Sequence, residues 1–225
     1  MPKMQPDTNH YGRSVAEHLP TDPGRDGFMT MELARIWALA APLLTVRNND
    51  VHTLYAYSLA TALLAMHPEA ESAVVLPAIL LHDIGWSAVP PEDVLSAIAP
   101  GGGRPELVLL HEREGARLAT EILTSVGYDR DLVERIAEII DGHDSRLSAL
   151  SLEDAIVKDA DKTWRLTPHG LDTVMDWFGL ERAQALRLCS ARVRTHLFTD
   201  AARNIATTLI ALESASVSEQ MSPLL

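Results

Sequence analysis

The sequence Leu80-Leu81-His82-Asp83-Ile84-Gly85-Trp86 decides how this chain folds. It closes an apolar run that begins at Ala73 and that predicts a buried helix. A core helix rarely ends in an imidazole and a carboxylate, because buried charges are costly unless they are paired or coordinate a metal. His82 and Asp83 are therefore candidate metal ligands at the inner end of a core helix.

Length and composition limit the classes of protein to which the chain can belong. Its 225 residues suit one domain, and 47% hydrophobic residues with only 5% aromatic residues indicate a helical core of Ala, Leu, Val and Ile. The net charge of −12 argues against a nucleic-acid polymer as a partner. It is compatible with a small anionic, phosphorylated substrate if a bound cation supplies positive charge locally.

The cysteine content and the lengths of the apolar segments indicate in which cellular compartment we expect the protein. The single cysteine, Cys189, excludes an internal disulfide and indicates a reducing compartment. The N-terminus lacks the apolar core of a signal peptide, and no apolar segment approaches the roughly 18 residues of a membrane span. We therefore expect a cytoplasmic protein that does not bind a membrane. The sequence leaves open whether the chain forms a homodimer.

Apolar residues recur at helical spacing along most of the chain, and no alternating strand pattern interrupts them. The fold class that this predicts is all-α, a compact bundle of many helices. We expect residues 1–28 to form an irregular arm, 29–213 a single helical domain and 214–225 a polar tail. The glycine run at 101–103 predicts a flexible connector, with a hinge or lid as the alternative. Helices are predicted over about 30–44, 51–67, 69–81, 92–98, 105–126, 129–140 and 151–162, with two or three more between 171 and 212.

Potential metal ligands recur at the ends or on the inward faces of these predicted helices. Two imidazoles and two carboxylates would give a mixed N/O site suited to Mn, Fe, Co, Ni or Zn. Such a site leaves positions open for water and substrate. The candidate residues are His52, the His82-Asp83 doublet, His111, His143 and the pair Asp159 and Asp161.

The order of His52, His82-Asp83 and Asp161 resembles the HD-domain superfamily of metal-dependent phosphohydrolases, over roughly residues 49–164. The resemblance implies an HD-type helical bundle in which these four residues bind a divalent metal. Asp161 is preferred to Asp159, because the last carboxylate of that family is usually the second acid of such a pair. Metals in such sites acidify water and polarise phosphoryl oxygens.

His111 and His143 fall where superfamily members with dinuclear sites, including the HD-GYP cyclic-dinucleotide phosphodiesterases, place extra histidines. The resemblance thus implies six ligands, with Asp83 bridging, and one or two divalent metals per chain. The chain departs from HD-GYP proteins, because it lacks the Gly-Tyr-Pro signature and has His143-Asp144 instead of two histidines. It also has Trp86 where that subfamily usually has Lys. Cyclic di-GMP is therefore not the expected substrate.

The same six-ligand order also resembles myo-inositol oxygenase and the HD-type dioxygenases that cleave a phosphonate carbon–phosphorus bond, which hold a mixed-valent di-iron pair. The ligand list does not separate the two chemistries. We expect a metal-dependent hydrolase that acts on a small phosphomonoester or phosphodiester, for example a nucleotide. The alternative is a di-iron oxygenase acting on a small polyol or phosphonate. A third hypothesis, an HD domain that only binds ligands, predicts loss of a core ligand, and all four are present.

Several residues near the motifs receive further predicted roles. Asp83 and Asp144 are the candidate catalytic residues, Asp144 as a general acid or base. Arg146 and Lys162 are candidate contacts to a substrate anion. Asp159 is expected to end a helix or to orient a ligand histidine. No residue is assigned to an organic cofactor.

Overall fold

The computed structural model describes residues 28–99 and 103–217. Within these ranges the chain forms ten α-helices and no β-strand, which confirms the all-α prediction. The predicted arm at 1–28 lies almost wholly outside the described residues, as do most of the glycine run and most of the tail. The helices are α1 Met31–Ala40, α2 Asn49–Met66, α3 Ser72–Leu81, α4 Pro91–Ile98, α5 Pro105–Ser125, α6 Arg130–Ile140, α7 Leu152–Trp164, α8 Pro168–Phe178, α9 Arg182–Arg194 and α10 Asp200–Ser216.

Side-chain caps begin several helices where the sequence predicts them. Thr30 accepts a hydrogen bond from the backbone N–H of the third residue of α1, and Asp129 and Ser151 cap α6 and α7 in the same way. Helix ends differ more from the prediction. α1 ends at Ala40 rather than near 44, because Pro42 has no N–H to continue the α-helical pattern and a 3₁₀ turn follows. α10 continues to Ser216, into the predicted tail.

Helix α3 is the central element of the bundle, and seven of its ten residues are buried. It packs against α1, α2, α6 and α7. Pro77 lies inside this helix and removes the hydrogen bond to the carbonyl of Ala73. The hydroxyl of Tyr128 donates to that freed carbonyl at 2.7 Å, so the buried helix keeps its backbone satisfied.

None of the described helices is by itself long and apolar enough to cross a membrane, although the bent pair Ser72–Ala88 and Pro91–Ile98 passes that test as a unit.

The packing brings several helix ends together on one side of α3. α2 packs along α7, α5 packs on α6, and the 3₁₀ segment Ile84–Ala88 lies directly on α5. The first turn of α2, the ends of α3, α6 and α7, and the middle of α5 therefore meet. α10 packs against α7 and α2, α9 packs against α10, and α8 packs against α9 to complete the bundle.

The 3₁₀ segment that follows Asp83 can approach α5 only because Gly85 has no side chain. A Cβ at Gly85 would lie 1.9 Å from the carbonyl oxygen of His111 and 2.4 Å from the backbone nitrogen of Gly115. Neither backbone atom can move without displacing α5. Gly85 therefore fixes how closely the His82-Asp83 motif lies to His111.

We expect Gly85→Ala to lower the free energy of unfolding by about 3 kcal/mol or more, because the new methyl group collides with backbone rather than with a movable side chain. Urea denaturation followed by circular dichroism measures this. Gly127→Ala is the control, since Gly127 has a φ of 78° but open space around it, and it should cost only about 1 kcal/mol. Equal losses in the two variants would contradict the close contact at Gly85.

Candidate metal centre

The six predicted metal ligands lie together where these helix ends meet. His52 lies in the first turn of α2, His111 in α5 and Asp161 in the last turn of α7. The His82-Asp83 doublet follows α3 directly, and His143 follows α6. All six residues are buried, and the most exposed of them, Asp83, is 6% accessible. Residues up to 109 positions apart in the sequence, His52 and Asp161, thus converge on one centre.

A first group of donor atoms surrounds the Nε2 atom of His52. The Nε2 atom of His82 lies 3.1 Å from it, and an oxygen from each of Asp83 and Asp161 lies 3.4 Å from it. The same oxygens lie 3.6 and 3.7 Å from His82 Nε2. Neighbouring ligands bound at about 2.1 Å to one metal are separated by roughly 3.0–3.4 Å. These spacings suit four ligands around a single ion.

A second group faces the other oxygen of the same Asp83 carboxylate. Oδ1 of Asp83 lies 3.5 Å from His143 Nε2 and 3.8 Å from His111 Nε2. Oδ2 of Asp144 lies 3.8 Å from both imidazole nitrogens. Asp83 thus directs one oxygen to each group, the arrangement that a carboxylate bridging two metals requires. Asp144, predicted only as a catalytic residue, joins the residues that could hold a metal.

Backbone carbonyls orient two of the imidazoles. Nδ1 of His82 donates to the carbonyl of Ile79 at 2.8 Å, and Nδ1 of His143 donates to the carbonyl of Ile140 at 2.9 Å. A histidine that donates from Nδ1 keeps the lone pair of Nε2 for a metal. Among the described residues, Nε2 of His111 and of His143 has no hydrogen-bond partner although it is buried. The donor set therefore suits a cation.

The pKa shifts point the same way. Burial lowers the pKa of His52 and of His111 to about 4, so these imidazoles are neutral at neutral pH and able to bind a metal. Burial alone would raise the pKa of Asp83, but the neighbouring imidazoles of His82 and His143 hold it well below its usual range. Burial alone would lower the pKa of His143, whereas Asp83 and Asp144 raise it to about 9. Metal binding would displace that proton and take over its charge.

Two buried charged residues that the sequence analysis missed hold the loop that carries His143. Glu112 accepts hydrogen bonds from the backbone N–H groups of Asp144 and Ser145, both at 2.8 Å. Nζ of Lys158 donates to the carbonyls of Gly142 and Arg146, both at 2.9 Å. The available signal was a lysine on the inward, apolar face of α7, where an unpaired charge would be costly.

Trp86 orients two of the predicted ligands. Its Nε1 donates to Oδ1 of Asp83 at 3.1 Å, and its ring stacks on His111 with centroids 3.9 Å apart and planes 10° apart. Trp164 meets His52 edge-on at 4.4 Å. The aromatic residues thus fix the rings and the carboxylate rather than only filling the core.

The structure places the side chains of Arg146 and Asp159 away from the donor atoms of the centre. The guanidinium of Arg146 donates to Asp154 at 3.2 Å and to backbone carbonyls at the end of α6, so it is occupied and does not line the metal centre. Asp159 accepts from the backbone of Phe198 and Thr199 ahead of α10, so it orients no histidine. Lys162 does lie near the centre, with Nζ 3.5 Å from the carbonyl of His143. Its contact with substrate remains a prediction.

Comparison with known proteins agrees with this geometry. A family model described as HD domain matches residues 49–166. No curated protein matches the chain. Among solved structures, the crystal structure of a predicted HD superfamily hydrolase from an uncultured Thermotogales bacterium is similar, with a TM-score of 0.59 and 18% sequence identity. The match covers 86% of this chain and 94% of that one, and at this identity it shows a shared fold.

We expect the wild-type protein to bind two divalent metals per chain and the His111→Gln, His143→Gln double variant to bind one. The double variant removes the imidazoles of the second group only, and elemental mass spectrometry measures the metal content. His67→Gln is the control, because His67 caps the opposite end of α2. A wild-type content of one metal, unchanged in the double variant, would show that the second group holds no ion.

Lys158→Met should lower the free energy of unfolding by about 2–4 kcal/mol, because it leaves buried carbonyls of the His143 loop without a donor. The second metal should also bind more weakly, because the loop loses its anchor. Urea denaturation and metal content measure the two effects. Lys162→Met is the matched control and should cost under about 1 kcal/mol, because within the described ranges its ammonium donates only the 3.5 Å hydrogen bond. Wild-type stability in Lys158→Met would refute the anchoring role.

Proposed function

Because the chain belongs to the HD domain family, we propose that it is a metal-dependent phosphohydrolase acting on a small phosphomonoester or phosphodiester. The observation that carries this proposal is the position of Asp83, with one carboxylate oxygen facing each group of donor atoms. Two cations, one held by each group of donor atoms, would act on one phosphoryl group together. When bound, they would supply an acidified water and positive charge beside the phosphorus.

The residues around the centre prepare it for that chemistry. Hydrogen bonds from Trp86 to Asp83, and from His82 and His143 to backbone carbonyls, hold the donor atoms in place before substrate binds. Burial of the ligands excludes bulk water, which strengthens the electrostatic effect of any bound cation. The centre therefore needs little rearrangement during a reaction.

Asp144 is the residue that we propose for proton transfer. It is the most exposed acid of the centre, with 25% of its side chain accessible, and it lines the cleft through which a substrate would enter. A carboxylate at this boundary reaches both the donor atoms of the second group and the entering molecule. Its contacts also suit a metal ligand, and a ligand carboxylate with a free oxygen serves both roles.

The charge of the surrounding cavity favours an anionic substrate over a neutral polyol. Lys162, Arg165, Arg192 and His196 line the cavity next to the centre, against Asp144 as the one acidic lining residue among those described. In a chain of net charge −12, such a group of basic residues would attract anions locally. The presence of all the core metal-binding residues argues against a domain that only binds small molecules. Di-iron oxygenation of a phosphonate uses the same ligands, and the experiment below separates it.

Hydrolysis should proceed without oxygen. Protein loaded anaerobically with Mn, Fe, Co, Ni or Zn should release phosphate or alcohol from p-nitrophenyl phosphate, bis(p-nitrophenyl) phosphate or nucleotides. Asp161→Asn should lower the rate by more than about 100-fold, because it replaces a ligand carboxylate with an amide. Asp141→Asn, an exposed neighbour of the His143 loop, should leave the rate unchanged.

Two other outcomes would each reject the proposal. Strict dependence on oxygen, with cleavage of a phosphonate, would assign the chain to di-iron oxygenation. Absence of turnover with every metal and in either atmosphere would favour a binding domain.

A further inference from the structure

Three buried hydrogen-bond donors in the cleft beside the metal centre have no acceptor among the residues that the structure describes. They are Nε and Nη1 of Arg47 and Nδ2 of Asn49. Both residues line the same cleft as His52, Asp83 and Asp161. A buried donor without an acceptor is costly, so a native site of this kind normally binds an acceptor that the protein does not supply. Three such donors in one cleft indicate an anion.

Two indole rings hold the guanidinium of Arg47 without using its N–H groups. Its central carbon lies 5.1 Å from the centroid of Trp86 and 4.8 Å from the centroid of Trp177. A planar guanidinium binds aromatic faces through its own face and leaves its edge for hydrogen bonds. Because Trp86 also stacks on His111, Arg47 is one ring away from the metal centre.

The backbone at Arg47 adopts an unfavourable conformation that brings these donors to the cleft. Arg47 and Asn48 both have a φ of 57°, in the left-handed region that residues with a Cβ seldom occupy. This turn immediately precedes α2, and Arg47 and Asn49 on either side of Asn48 both line the cleft. Strained backbone of this kind concentrates at sites that bind ligands.

The charge of Arg47 is also unpaired. No carboxylate of the described chain lies within ion-pair distance of its guanidinium. Asp83, Asp144 and Asp161 are nevertheless close enough to attract it electrostatically. By contrast, Arg165 in the same cleft lies 3.8 Å from Asp161. Arg47 is therefore the cation of the cleft that is left to bind an incoming anion.

A larger cavity of about 270 Å³ adjoins this cleft and shares Ile98, Asp144, Arg165 and Trp177 with it. It lies between α4 and α5 on one side and α8 and α9 on the other. Its apolar wall includes Val108, Val174, Phe178 and Leu188. The volume is at the lower end of pockets that bind small organic molecules. A ligand with its anionic group at Arg47 would extend its organic part into this cavity.

We propose that Arg47, assisted by Asn49, binds the anionic group of the substrate, and that the substrate is an organic phosphate with an apolar body lying in the adjoining cavity. The proposal rests on the proposed function, because it takes the neighbouring metal centre as the place of reaction. Arg47 is a substrate-binding residue in this scheme and not a metal ligand. Binding of the anion can be measured without turnover.

The probe for the first experiment is phenylphosphonate, which has the charge and shape of phenyl phosphate but no ester bond to hydrolyse. Isothermal titration calorimetry of the metal-loaded protein, without oxygen, gives its affinity. Arg47→Met should weaken binding on the order of 10- to 100-fold, since a charge-assisted contact is lost. Arg47→Lys should fall between, because it keeps the charge but not the planar fork. Arg113→Met, an exposed arginine on α5, is the matched control and should bind as the wild type does.

Metal content by elemental mass spectrometry should be the same in all variants, since Arg47 holds no metal. Unchanged affinity in both Arg47 variants would overturn the proposal, whether or not phosphate esters are hydrolysed. If binding weakens in the Arg47 variants but the protein hydrolyses no ester, the assignment of the anion site is supported and the proposed hydrolysis is rejected.

A second comparison tests the apolar body of the substrate. The affinity for phenylphosphonate should exceed that for methylphosphonate by about tenfold or more, because the phenyl group buries apolar surface in the adjoining cavity. With phenyl phosphate as substrate, Arg47→Met should raise KM more than it lowers kcat. Equal affinities for the two phosphonates would overturn the assignment of the cavity to the substrate body.

Discussion

The structure depends on one buried carboxylate. Asp83 follows the most apolar of the described helices, and its buried charge is stabilised by the indole N–H of Trp86 and by the imidazoles that surround it. Imidazoles from α2, α5 and the loops after α3 and α6 face its two oxygens. Each must reach the same point, so the relative positions of these helices are constrained by Asp83 as much as by the apolar core. Gly85 shows how tight the constraint is, since even one methyl group would separate the motif from α5.

A second layer of buried polar contacts keeps this arrangement rigid. Glu112 follows a predicted ligand in the sequence and ties down the backbone that carries His143 and Asp144. Lys158 holds the same loop from α7, three residues before Asp161. These charges are tolerated in the interior because backbone groups and the Ser145 hydroxyl satisfy them, and because Asp154 lies 3.7 Å from Lys158. The loop after α6 is thus held from both α5 and α7, which supports the precise placement that a site that binds cations requires.

Much of the fold and part of the centre could be predicted from the sequence, and the failures have physical causes. Helical periodicity and caps such as Thr30 and Ser151 depend on local interactions, so the helices were found. The convergence of the six candidate ligands was implied by the resemblance of their order to the HD-domain superfamily. Arg146 was misplaced, because closeness in sequence to His143 does not fix the direction of a side chain in a turn. Arg47 was missed, because its left-handed backbone is not encoded by a glycine or another local signal.

Trp86 connects ligand orientation with the binding of an anion. In HD-GYP proteins the same position usually carries a lysine, whose ammonium would be a positive charge beside the metals. Trp86 instead donates one hydrogen bond to Asp83, stacks on His111 and lies 5.1 Å from the central guanidinium carbon of Arg47. Arg47, in the turn before α2, places a positive charge beside Trp86, on a side chain whose planar fork suits an oxyanion. Trp86 therefore contacts both Arg47, where the anion would bind, and Asp83, the carboxylate that faces both ligand groups. Recognition of the substrate and arrangement of the metal ligands thus depend on Trp86.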